Sequence, residues 1–217
     1  MQNLKNELKV YRQKFSDELD RILSYWIRYS VEKEGKGFYG AVDLDGIPDL
    51  KAPKTSVLNA RILWTFSAAA MINGRADCAE MADRAYRVVT EDFADTLHGG
   101  YFMELTSGNA VANDIKHTYA QAFVIYALCK YYEFRRMDST METIRNFFTL
   151  LEEKAKDKSN AGYLEAFTRD WKLYGENRMA DNNEPKSMNT HLHVLEAWSA
   201  LYKVWKDETV RSRLAEL

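Results

Sequence analysis

Residues 186–203 read KSMNTHLHVLEAWSALYK, and the same plan, a lysine leading an apolar helical run, recurs at 54–70 as KTSVLNARILWTFSAAA and at 116–132 as KHTYAQAFVIYALCKYY. Aligned on Lys54, Lys116 and Lys186, three positions fall together. The fourth is Val57, Tyr119 or Asn189, the eighth Arg61, Phe123 or His193, and the eleventh Trp64, Tyr126 or Glu196. Positions four and seven apart share one helix face, so each run presents its triplet on a single side.

Working outward, each run is preceded by a glycine-aromatic phrase: Gly37-Phe38-Tyr39, Gly100-Tyr101-Phe102 and Gly162-Tyr163-Leu164, spaced by 63 and 62 residues. Each phrase opens a segment that alternates or turns, as a hairpin or loop does. Amphipathic runs at 3–33, 76–93, 138–157 and 206–217 complete the order, giving two helices per period. One such pair cannot cover its own apolar face and must stack on its neighbours. A tetratricopeptide unit would recur at about 34 residues. The longer period with hairpin connectors predicts an all-α protein, an α/α toroid of the (α/α)6-barrel type with short hairpin loops. Units fall at roughly 1–73, 74–136 and 137–205, within a single portion spanning 1–217 that is expected to be the N-terminal part of the barrel. At this period the chain supplies three to three and a half helix pairs, about half of a six-pair ring.

Composition agrees. Ten glycines and three prolines in 217 residues are about half the average share of roughly 12%, so helix is favoured over turn-rich sheet. The net charge of −2 gives no bulk field for nucleic acid or anionic lipid, and neither is expected as a partner. No stretch approaches the roughly 18 apolar residues of a membrane span. Cys78 and Cys129 stand alone, without CxxC spacing, behind a polar opening MQNLKNELKVYRQKF, so a cytoplasmic location is expected. The sequence has no GxxxxGK[ST], GxGxxG, HExxH or GxSxG, which removes P-loop, Rossmann, zincin and α/β-hydrolase chemistry.

The shared face of the three runs mixes Arg61, Tyr119, Asn189, His193 and Glu196 into helices otherwise built from Ala, Leu, Ile and Trp. Burying such groups without partners is costly, so a water-filled lumen or binding cavity is expected beside them. Arg61 reads equally as a rim arginine reaching solvent. His191 and His193, two apart, point about 200° from each other around a helix and cannot hold one ion, so no metal is expected. His193 and Glu196, three apart, can touch, either as an oriented imidazole or as a simple structural hydrogen bond. Trp64, Tyr119 and Tyr126 serve core packing as readily as a ligand platform. Asp43-Leu44-Asp45-Gly46 lacks the later ligands of a calcium loop and reads as a hairpin turn.

The strings SVLNARILWTFS, HGGYF, DIKHTYAQAFVIYALCKYY, GYLEAFTRDW and KSMNTHLHVLEAW, in that order, resemble the cellobiose 2-epimerases of the N-acylglucosamine 2-epimerase superfamily. The resemblance implies an (α/α)6 barrel that inverts carbon 2 of an aldose or of a reducing-end sugar. The route is ring opening, loss of the C2 proton to a cis-enediolate, and return of a proton to the other face, with no cofactor. It implies a catalytic Arg61 holding the enediolate oxygens, a catalytic His193 at ring opening or in contact with a sugar oxygen, and Tyr119, Asn189 and Glu196 at the sugar. It implies a mono- or disaccharide as ligand. It also implies that the proton-transferring histidines and stacking tryptophans belong to a second half absent from this sequence, so the chain is expected to be inactive alone. A different class of reading is a non-catalytic carbohydrate-binding or scaffold half-toroid, closed as a homodimer through its open edge. A glycoside hydrolase on the same toroid would need two paired carboxylates, and nothing in the sequence pairs Glu165 with Glu196.

Overall fold

The computed structural model describes residues 2–35, 37–175 and 183–217. Its helices are α1 (Gln2–Tyr29), α2 (Ser56–Asn73), α3 (Ala76–Arg87), α4 (Thr118–Arg135), α5 (Asp138–Lys154), α6 (Met188–Val204) and α7 (Glu208–Glu216), with a π-helical turn over Val88–Asp92 extending α3. Each lysine-led run becomes one of α2, α4 and α6. These three pack side by side, with α4 in the middle, and form the inner layer. Helices α3, α5 and α7 return outside them, each against the inner helix before it. The result is three and a half pairs of an α/α toroid.

Helix ends are set by local chemistry. Thr55 accepts from the Leu58 amide at 3.1 Å and Ser187 from the Thr190 amide at 3.1 Å, satisfying otherwise orphaned N-terminal donors. Gly74 ends α2 in the left-handed region at φ 66°, where a side chain would be strained. The core runs between the layers through Phe66, Leu128, Ile144, Phe148 and Trp198, all buried.

At the end where the inner helices begin, one loop design repeats. The amides of Glu32, Asp95 and Asp157 donate to the carbonyls of Gly37, Gly100 and Gly162 at 3.1, 2.9 and 3.0 Å. The side chains of the same acids then pair with the lysines that open the inner helices: Glu32 with Lys54 at 2.5 Å, Asp95 with Lys116 at 3.0 Å, and Asp157 with Lys186 at 2.5 Å. Each glycine-aromatic phrase is thereby tied to its inner helix by a charge-assisted bond. The lysines are 62 and then 70 residues apart, so the third unit carries a longer connector. That connector folds back on the second unit: Ala166–Phe167 (β5) pairs antiparallel with Lys116–His117 (β4). Similarly Glu104–Leu105 (β2), flanked by Val111–Asn113 (β3), pairs with Lys54–Thr55 (β1). The Asp43 turn is a hairpin, with its amide bonded to the Ile47 carbonyl at 3.0 Å.

No helix among the described residues is long and apolar enough to cross a membrane. Both cysteines are free and buried.

Candidate functional site

The inner helices run parallel and in register, so sequence-equivalent positions meet as rungs. On the upper rung the Arg61 guanidinium lies 4.8 Å from the Phe123 ring centroid, and Phe123 lies 4.5 Å from the His193 ring. One rung deeper Trp64 and Tyr126 stack at 5.4 Å, only 12° from parallel. Tyr119, a turn above Phe123, meets His193 edge-on at 4.9 Å. The His193 Nδ1 lies 2.8 Å from the Glu196 carboxylate.

The arrangement supplies a fixed cation, a hydrogen-bonding imidazole and aromatic faces along one wall. Arg61 is exposed, with no carboxylate in ion-pair contact among the described residues; its delocalised charge is held by the Phe123 face. Below the rungs a cavity of about 460 Å³ is walled by Trp64, Tyr126 and Glu196. Its floor is charged: Lys130 sits 5.5 Å from the Trp64 ring and pairs with Glu133, which also binds Lys203 at 2.5 Å. Burial, and then the Glu196 charge, raise the Tyr126 phenol above its ordinary value. Tyr126 therefore stays a neutral donor. Among the described residues no group of three His, Cys, Asp or Glu side chains converges as a metal site.

Of the five residues marked by the sequence, Arg61, Tyr119, His193 and Glu196 form this connected cluster. Asn189 lies exposed on the first turn of α6, one turn above His193 on the same face. His191 belongs elsewhere: its Nε2 accepts from the Tyr163 amide at 3.1 Å and its Nδ1 lies 2.7 Å from the Ser187 carbonyl.

Sequence reasoning missed the group that seats α6. Glu165, 1% exposed, accepts from the Ser187 amide and the Thr190 hydroxyl, both at 2.5 Å, and lies 3.7 Å from His117 Nε2. Its carboxylate is spent on the start of α6 and cannot face a glycosidic bond. Only its place beside the third glycine-aromatic phrase hinted at this. The second lock was also invisible in sequence. Asp95 takes Lys116 at 3.0 Å and a two-pronged contact from Arg169 at 3.0 and 3.1 Å. Burial alone would raise the Asp95 carboxyl, but Arg169 and Lys116 outweigh it and hold the group far below the usual carboxylate range.

A family model described as N-acylglucosamine 2-epimerase matches residues 37–217. The chain belongs to the N-acylglucosamine 2-epimerase family. A relative within it, the cellobiose 2-epimerase of Bacteroides fragilis, is 39% identical over 217 residues, covering 96% of this chain and 54% of that protein. The solved cellobiose 2-epimerase of Spirochaeta thermophila superposes with a TM-score of 0.90 at 34% identity, over 98% of this chain and 53% of that one. The chain thus spans about half the length of the relatives it matches. A GH76 α-mannanase of Bacteroides thetaiotaomicron also superposes, with a TM-score of 0.73 but 18% identity, a likeness of fold alone. The family membership covers α2, α4 and α6, and with them every residue of the two rungs.

Proposed function

We propose that the chain forms half of the sugar site of a cellobiose 2-epimerase-like isomerase. The observation that carries this is the upper rung, where Arg61, Phe123 and His193 come from three successive inner helices to one wall of the lumen. In the proposed chemistry His193 opens the pyranose by taking the anomeric hydroxyl proton as the ring C–O bond breaks and C1 becomes a carbonyl, and then returns that proton to the leaving ring oxygen. A base then removes the C2 proton; the electron pair of that C–H bond forms a C1–C2 double bond as the carbonyl π pair moves onto O1, leaving an enediolate whose oxygen charge Arg61 stabilises. Reprotonation of C2 from the opposite face gives the epimer. Tyr119 and Asn189 bind the sugar hydroxyls, with Glu196 beside them.

No histidine follows His193 in this sequence. Because the chain spans about half the length of its relatives, we place the base and acid at C2 in the rest of the ring, and the chain alone is expected not to exchange the C2 proton. Titration with cellobiose, followed by NMR of the sugar in deuterated water, tests both parts. Expected are weak saturable binding, reduced about tenfold by Arg61→Ala, the loss of roughly 1.4 kcal/mol a charged hydrogen bond brings, and no deuterium at C2. Deuterium incorporation would show that the site is complete without a second half. Binding untouched by both Arg61→Ala and His193→Ala would remove the sugar from this wall.

A second reading, a half-toroid that binds sugar without catalysis and closes as a homodimer, is favoured by the apolar edges. Leu4, Leu8, Tyr11, Phe15 and Ile22 form an exposed stripe along α1, and Leu192 and Leu195 are exposed on α6. Against it, in a six-unit ring α7 begins the fourth unit, whose outer place is diametrically opposite α1. Two copies closing such a ring would bring α1 of one and α7 of the other to the same place. We also read the protein as cytoplasmic, from its two unpaired cysteines.

A further inference from the structure

The sugar reading leaves open which nitrogen of His193 faces the lumen, and Glu196 answers it. A carboxylate only accepts hydrogen bonds. With Glu196 Oε2 2.8 Å from Nδ1, the proton of the neutral ring must sit on Nδ1, which makes Nε2 a bare acceptor. The ring cannot easily turn away, because Phe123 covers it at 4.5 Å and Tyr119 meets its edge at 4.9 Å. Among the described residues no group hydrogen-bonds to Nε2.

We infer that Glu196 is a positioning residue: it fixes the Nδ1–H tautomer of His193 and so presents Nε2 as an acceptor for a sugar hydroxyl. The tautomer of an imidazole is set by the bond its other nitrogen makes. A three-residue spacing on one helix keeps donor and acceptor together although the Glu196 side chain is 55% exposed. This assigns Glu196 a role through His193 rather than at the sugar itself. It rests on the proposed sugar site only for its use, not for the tautomer.

His191 supplies a built-in standard. Its Nε2 accepts from the Tyr163 amide and its Nδ1 faces the Ser187 carbonyl, which likewise requires Nδ1–H. The experiment is long-range proton–nitrogen NMR of the four histidines in the 15N-labelled full chain, without sugar, at about pH 8.5, some two units above the ordinary histidine value. His191 and His193 are expected to show a protonated Nδ1 and an unprotonated Nε2. Glu196→Ala is expected to move His193 alone toward the Nε2–H form, with His191 reporting that α6 remains folded. Glu196→Gln, whose amide oxygen still accepts, is expected to restore the wild-type pattern. An Nε2–H His193 in the wild type, or a His193 pattern unchanged by Glu196→Ala, overturns the inference. Adding cellobiose then separates the two claims. If the His193 Nε2 resonance does not move at saturating sugar, the sugar reading fails while the tautomer assignment stands.

Discussion

Helices α4 and α6 hold equivalent places in successive units, yet they are finished differently. Among the described residues α4 buries 11 side chains of 18 and α6 only 5 of 17. Their locks differ in the same sense. Lys116 and Asp95 are both 0% exposed, whereas Lys186 and Asp157 are 25% and 13% exposed. The cause is the next unit. Arg169, from the third unit, reaches back 74 residues to cap Asp95, and Asn109, from the second, reaches back to Lys54 at 2.7 Å. Each lock before the last is completed by a side chain of the unit that follows. The Asp157–Lys186 lock, which no later side chain caps among the described residues, stays open to water.

The largest expected effect tests that difference at the locks. Asp95→Asn removes one partner of a fully buried pair and leaves Lys116 and Arg169 uncompensated, a loss of about 3–5 kcal/mol. Asp157→Asn is expected to move the urea midpoint barely at all, because water already solvates that pair. Equal losses would break the claim that the following unit sets the strength of a lock. The sign with pH follows. The Asp95 carboxyl is held below its unfolded value of 3.8, so its contribution is present above that value and is lost as the pH falls below it. Acid unfolding of the wild type is expected to be steeper than that of Asp95→Asn; parallel profiles would contradict the assignment.

The next effect compares the helices themselves. Leu128 on α4 is fully buried, and Leu192 on α6 is 53% exposed. Leu128→Ala is expected to cost about 2–5 kcal/mol in chemical denaturation, the range for a core cavity. Leu192→Ala should stay within about 0.5 kcal/mol. A large loss at Leu192 would mean that α6 is covered in solution, by a second copy or another chain.

These contrasts also explain what the sequence could reveal. Helix positions were legible because the inner runs are apolar nearly all round while α3 and α5 are amphipathic, two patterns that do not imitate each other. The rungs were legible because residues at the same distance from a lysine on parallel helices must meet, as Arg61, Phe123 and His193 do. The locks were hidden because their acids precede the lysines by 22, 21 and 29 residues and are Glu in the first unit but Asp in the next two. No local spacing rule links Arg169 to Asp95, 74 residues away. The strands of two or three residues are too short to show alternation. Trp171 takes a left-handed φ of 63° and donates its indole N–H to the His98 carbonyl at 2.9 Å, a cost met by tertiary contacts that leave no sequence mark. The role of Glu165 was hidden for the same reason, because its partners lie 22 and 25 residues downstream.

The smallest effect on stability concerns the other edge, where α1 lies. Its stripe of Leu4, Leu8, Tyr11, Phe15, Ile22 and Trp26 follows helical spacing, as a face meant for burial does. Among the described residues the helix is anchored in its C-terminal half, by buried Leu23 and by Arg75 bonded to Asp20 at 2.9 Å. Leu8→Glu and Phe15→Glu therefore remove nothing the folded chain uses internally, and each should change its stability by no more than about 0.5 kcal/mol. Association should respond instead, because a charge placed in a contact meant to exclude water carries a desolvation cost with no partner to offset it. If sedimentation shows self-association in the wild type, the double variant should shift it toward monomer at every concentration. A double variant that associates as strongly as the wild type would show that the α1 stripe is not the contact and would move attention to Leu192 and Leu195. A variant that instead unfolds would show that α1 is packed along its whole length, and the contrast between completed and open units would then end at α6.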